Sequence, residues 1–186
     1  TYAYDKLSEA QKIWYEDLNN MLAVRSDEPA VLSKEGFDSG LGEEDIDLIF
    51  QSVLLDHPEY FFVEGYEYTI YTSCGKLMGI ELKGTYALSL EECMERKKQI
   101  DAAVQAILDN APETASDYEK IKYVYETIIY HTQYCMDAEE NQNIYSVFVG
   151  HASVCQGYAK ATQYLLNLLG VECTSVFGVV NNKEGH

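Results

Sequence analysis

The chain has 186 residues, enough to bury a substantial core in one domain or two small lobes sharing a cleft. Thirty-one Asp and Glu against thirteen Lys and Arg give a formal charge of −18, which repels phosphate backbones and argues against nucleic acid as a partner. The longest apolar runs, Val53-Leu54-Leu55 and Ser175–Val180, fall far short of the roughly 20 residues needed to span a bilayer, so no transmembrane segment is predicted.

Ser8-Glu9-Ala10-Gln11 is a capping-box pattern, and Ile13, Trp14, Leu18, Met21 and Leu22 follow at helical spacing, predicting a helix over Ser8–Val24. Gly36–Gly42 reads as a loop. Ile46, Ile49, Phe50, Val53 and Leu54 then mark a second amphipathic helix that must stop before Pro58. Tyr60–Val63, Tyr66–Tyr71 and Leu77–Leu82 are rich in aromatic and β-branched residues and predict an antiparallel sheet with a hairpin turn near Gly75.

A second capping box, Ser89-Leu90-Glu91-Glu92, opens a long helix through Met94, Ile100, Val104 and Leu108 that ends near Pro112. Pro112 is the expected lobe boundary, with an N-terminal α+β lobe over 1–112 and a second lobe over 113–186. A third capping box, Ser116-Asp117-Tyr118-Glu119, starts a helix whose expected apolar stripe is Ile121, Val124, Tyr125, Ile128 and Ile129. Polar, acidic Met136–Asn143 reads as a loop, and Ile144–Val149 as a short helical turn. The helix after Cys155 presents Ala159, Tyr164, Leu165, Leu168 and Leu169 before Gly170, a residue type that caps helices in the left-handed conformation. Val171–Val180 reads as a strand. The overall class is α+β.

Five cysteines at irregular spacing, without a CxxC pair, match neither a disulfide scaffold nor a structural zinc ribbon. His131 and Cys135 stand four apart, as do His151 and Cys155, but two ligands do not make a zinc site. Glu43-Glu44-Asp45 and Asp137-Ala138-Glu139-Glu140 lack the alternating spacing of a calcium loop and read as solvated surface. No metal or cofactor is expected. Sixteen tyrosines suit half-buried packing or the lining of a substrate groove.

Cys155 carries the chemistry. A helix start supplies unpaired amides and partial positive charge, which favour thiolate over thiol and hold a developing oxyanion. Gly157, two residues on, is expected to let a substrate backbone approach the sulfur. A strand returning along that helix brings its residues within about 10 Å of the helix axis, so His186 at its end is the expected base.

Val154-Cys155-Gln156-Gly157-Tyr158-Ala159-Lys160-Ala161, Leu169-Gly170-Val171-Glu172-Cys173, Val176–Val179 and Gly185-His186 together resemble the transglutaminase-like core of the papain-like superfamily. The resemblance spans about Asp117–His186 and is closest to bacterial members, in which Asn141–Phe148 also looks familiar. Upstream, His57–Val63 with Tyr66-Glu67-Tyr68 is similar to a region often joined to this core in secreted Gram-positive proteins.

The resemblance implies a cysteine-bearing helix on an antiparallel sheet, with Cys155 as nucleophile and His186 as general base and acid. A carboxylate on the next strand would orient the imidazole. The sequence ends at His186, before that residue and part of the sheet, so a further segment or a partner chain is expected to complete them, and the fragment alone is expected to be weakly active or inactive. The Cys155 amide is the first oxyanion donor, with Gln142 or Tyr145 as the second.

The expected activity is acyl transfer through a thioester, as a cysteine peptidase, amidase or transglutaminase-like enzyme on protein or peptidoglycan-type peptides, with water as the default acceptor. The rival expectation is a non-catalytic binding or adhesion module that keeps the fold. A start at Thr1, the acidic charge and the resemblance suggest a processed, exported protein of the bacterial cell surface or exterior.

Overall fold

The structure is a computed structural model that describes residues 1–112, 115–176, 178–180 and 184–185. It is mixed α+β and divides into two compact units, Thr1–Leu90 and Glu91–His186.

The first unit contains α1 (Tyr2–Lys6), α2 (Glu9–Ala23), β1 (Ala30–Val31), α3 (Lys34–Asp38), α4 (Glu43–Asp56), β2 (Val63–Ser73) and β3 (Lys76–Tyr86). The capping box at α2 forms as predicted: Ser8 Oγ accepts from the Gln11 amide at 3.3 Å and Gln11 Oε1 from the Ser8 amide at 3.0 Å. Helix α4 ends at Asp56, ahead of Pro58, whose ring cannot continue a helix. The antiparallel sheet has the order β1-β3-β2. Its hairpin closes through Cys74 and Gly75, at φ 50° and 76°, the paired left-handed conformation of a type I′ turn.

Tyr60–Phe62 is not strand but turn, fixed by the Val63 amide on the Tyr60 carbonyl at 3.1 Å, and the sheet begins only at Val63. The core is built from Trp14, Leu18, Leu22, Ile49, Phe50, Ile80 and Leu82, so one face of the sheet is sealed by α2 and α4. Trp14 is fully buried, and its Nε1–H donates to the Ser33 carbonyl at 3.0 Å. Buried Asp56 accepts from the amides of Ala3 and Tyr4, both at 2.9 Å, anchoring the start of α1, and from the Tyr15 hydroxyl at 3.1 Å. Burial and the Asp56 carboxylate push the Tyr15 hydroxyl far above the usual phenol range.

The second unit contains α5 (Leu90–Leu108), α6 (Asp117–His131), β4 (Gln133–Tyr134), α7 (Ile144–Phe148), β5 (Ala152–Ser153), α8 (Cys155–Leu168), β6 (Val179–Val180) and β7 (Glu184–Gly185). The two units divide between Leu90 and Glu91, ahead of the lobe boundary expected at Pro112. Helix α5 is tied to the chain on its C-terminal side: the Tyr123 hydroxyl donates to the Ile107 carbonyl at 2.6 Å, Arg96 pairs with Glu140, and the Tyr145 hydroxyl donates to Gln99 Oε1 at 3.0 Å. A proline marks where a helix stops, not which neighbours the helix packs on.

The stripe on α6 is narrower than its sequence suggests. Val124 and Ile128 are buried, whereas Ile121, Tyr125 and Ile129 are exposed at 46%, 61% and 45%. Helix α8 ends at Gly170, φ 77°, with the Gly170 amide on the Asn167 carbonyl and the Val171 amide on that of Leu166, the paired bonds of a Schellman motif. Among the described residues beyond it, 171–176 forms no ladder, and Val179–Val180 pairs antiparallel to Glu184–Gly185. Val171 is buried while Val176 is exposed, because β-branched residues favour extended backbone but do not supply a strand to pair with. Among the described residues, α8 packs mainly on α6, α7 and β5.

Candidate nucleophile site

Cys155 occupies the first position of α8 and is exposed. The N-cap residue, Val154, contributes no side-chain cap, and the first turn carries no acidic residue. The partial positive charge of this helix start is therefore not met by a side chain of its own, the condition under which a nearby anion is stabilised.

The approach to the helix is held by short polar contacts. Strands β4 and β5 pair in parallel, Gln133 with Ala152 and Tyr134 with Ser153. The Gln133 amide donates to the His151 carbonyl at 2.8 Å and the Cys135 amide to that of Ser153 at 2.9 Å. Exposed His151, at φ 53°, turns the chain from α7 into β5. The Val154 amide then donates to the Asn141 carbonyl at 3.0 Å. One turn into α8, the Tyr158 hydroxyl donates to the Thr132 carbonyl at 2.6 Å, joining the helix to the end of α6.

At the start of the helix lies a buried hydroxyl pair, Ser146 Oγ and Ser153 Oγ, 2.8 Å apart. Ser146 Oγ contacts the Asn143 carbonyl and Ser153 Oγ the Asn141 carbonyl, each at 2.7 Å. Gly157 packs directly on this pair. A Cβ there would come 2.0 Å from Ser153 Oγ and 3.1 Å from the carbonyl oxygens of Asn141 and Asn143. The glycine thus admits Ser153 and the 141–143 backbone on its inner side, which corrects the expectation that it clears a path for substrate.

The two side chains expected to serve the oxyanion lie on the segment so held. Gln142 is exposed, and Tyr145 is half-buried with its hydroxyl on Gln99 and its ring under the Arg96 guanidinium, 4.6 Å from the centroid. His186, the expected base, lies outside the described residues. On α8, buried Gln163 accepts at Oε1 from the Ser175 amide at 3.0 Å and the Ser175 hydroxyl at 2.8 Å.

Lys160, on the same helix, is half-buried, and desolvation holds its ammonium below the usual lysine range. His131 and His151 are both exposed, and among the described residues no three His, Cys, Asp or Glu side chains converge as metal ligands. None of the five cysteines, all among the described residues, is in a disulfide.

The serine pair is a feature that the sequence does not announce. Its one signal is Asn143-x-x-Ser146, the spacing at which an Asn caps a helix, and Asn143 Oδ1 does accept from the Ser146 amide at 3.2 Å. Nothing local in the sequence joins Ser146 to Ser153. Compared with known proteins, the chain matches no family model and no curated protein. No helix among the described residues is long and apolar enough to cross a membrane.

Proposed function

We propose that the chain belongs to a thiol-dependent acyl-transfer enzyme with a transglutaminase-like, papain-like core, Cys155 serving as nucleophile and His186 as its base. One observation carries the reading: Cys155 is exposed at the first residue of a 14-residue helix that no side chain caps. Its amide is among the donors that a helix start leaves without an intrahelical partner, so one residue offers both a nucleophile and a donor for the oxyanion.

In this mechanism His186 takes the thiol proton and the Cys155 sulfur attacks a carbonyl carbon. The tetrahedral oxyanion collapses to a thioester, the proton passes to the leaving amine, and water resolves the thioester by the reverse proton path. Gln142 and Tyr145 are the proposed second oxyanion donors. Protein or peptidoglycan-type peptides outside the bacterial cell are the proposed substrates, a reading supported by the strongly acidic composition and the sequence resemblance.

The test is acylation by p-nitrophenyl acetate, with the acetyl group located by peptide mass mapping. Cys74, exposed in the hairpin turn and away from any helix start, is the internal standard. Acetyl-Cys155 should accumulate at neutral pH well ahead of acetyl-Cys74, and Cys155→Ala should abolish the rapid phase. Equal acetylation of the two thiols would overturn the assignment of Cys155.

A further inference from the structure

We propose that the Ser146–Ser153 hydroxyl pair is the positioning device for the nucleophile, locking the start of α8 to the Asn141–Tyr145 segment. The proposal rests on Cys155 being the nucleophile, and it deepens that reading by naming the residues that set where the sulfur stands.

Ser153 and Ser146 are exposed at 0% and 2%, deep enough that neither hydroxyl exchanges its partners for water. They come from different elements, β5 and the first turn of α7, and meet at 2.8 Å. Three short oxygen contacts join Asn143, Ser146, Ser153 and Asn141, but the two hydroxyls bring only two hydrogens. The Ser146 hydroxyl donates to the Asn143 carbonyl, and the single Ser153 hydrogen is shared between the Asn141 carbonyl and Ser146 Oγ, while the Val154 amide also serves the Asn141 carbonyl at 3.0 Å.

Sequence position gives the pair its leverage. Ser153 is two residues before Cys155, and only the N-cap residue intervenes. Gly157, two residues after Cys155, is packed on the same Ser153 oxygen. The cysteine is thus bracketed on both sides by contacts with one buried atom. Removing that atom opens a void under Gly157 and frees the first turn of α8 to tilt, and a displacement of about 1 Å at a reacting group can cost on the order of a hundredfold in rate.

The experiment is alkylation of the whole chain by iodoacetamide across pH, with the Cys155 rate divided by the Cys74 rate from the same digest. Wild type, Ser146→Ala, Ser153→Ala and the double variant are compared, and each is melted by circular dichroism. In wild type the Cys155 rate at neutral pH should exceed the Cys74 rate by at least roughly tenfold. Each single variant should cut the neutral-pH ratio by roughly tenfold and flatten the dependence of that ratio on pH. The double variant should do no more than either single one, because both remove the same link.

A wild-type Cys155 alkylated no faster than Cys74 overturns the nucleophile reading, and the positioning role with it. A high wild-type ratio that folded variants leave unmoved overturns the positioning role alone, as does a double variant whose loss is the product of the singles. Where the variants do not fold, hydrogen exchange on wild type replaces them. The Val154 and Cys135 amides, which bond to the Asn141 and Ser153 carbonyls, should open together and slowly. Exchange of Val154 at the rate of an unprotected amide overturns the proposal.

Discussion

Gly157 and Lys160, three residues apart on α8, show how little a residue's identity says before its neighbours are known. By helix propensity alone, Gly157→Ala should stabilise by about 1 kcal/mol. Here the added methyl meets a fully buried serine oxygen 2.0 Å away, and neither Ser153 nor the carbonyls behind it have room to retreat. The expected outcome is a net loss of about 2 kcal/mol, the scale of overpacking in a tight site, read as a lower urea midpoint at unchanged slope. Lys160 presents the opposite case. Burial holds its ammonium below the ordinary lysine range, so the folded chain binds that proton less readily than the unfolded chain does. Wild-type stability should therefore rise with pH between the lowered folded value and the ordinary value of about 10.4. Lys160→Met, which keeps the length and drops the charge, should be more stable than wild type at pH 7. That advantage should shrink in urea melts as the pH climbs towards 10.

At the level of elements, helix α6 and the β2–β3 hairpin each depend on a short stretch of chain that fixes an end. Ser116 and Glu119 cap α6 reciprocally: the Glu119 carboxylate accepts from the Ser116 amide and hydroxyl, both at 2.8 Å, and those bonds hold its carboxyl below the usual range. A lowered carboxyl gives stability that is present above its unfolded value of about 4.3 and is lost as the pH falls through the lowered folded value. Glu119→Gln should fray the first turn of α6 at neutral pH, seen in amide exchange of that turn, and should match wild type once acid has protonated the glutamate. In the hairpin, Cys74 sits at φ 50°, where Asn is the better fit. Cys74→Asn should raise stability by about 0.5 kcal/mol in a thermal melt.

Both caps and the turn are legible in the sequence because their chemistry is local. Ser8, Ser116 and Gly75 act on residues no more than four positions away, and the structure places all three as read. The features that sequence reading misses depend on distant chain. Ile121, Tyr125 and Ile129 have the right period for a buried face, yet of that stripe Val124 and Ile128 are the residues that become buried. Val171–Val176 has strand composition without a partner strand among the described residues. The cysteine at a helix start is legible for the same local reason, whereas the hydroxyl pair at that helix start joins two elements seven residues apart in sequence through a turn that no pattern announces.

Across the whole molecule, each unit carries its own interior. Every residue of the large core, from Leu7 to Leu82, lies within the first 90 positions. Residues 1–90 produced alone should therefore unfold cooperatively in urea, with near-ultraviolet circular dichroism and secondary-structure signals changing together. A chain that shows helix signal without a near-ultraviolet band would contradict this. Trp14, the one tryptophan of the sequence, is sealed in that same core with its ring nitrogen on Ser33. Light at the red edge of the protein absorption band excites this single ring, so the chain carries a built-in gauge for its first half. An emission melt watches the chamber around α2 and is blind to the ground on which Cys155 stands, and any screen for damage near the thiol has to listen to another channel.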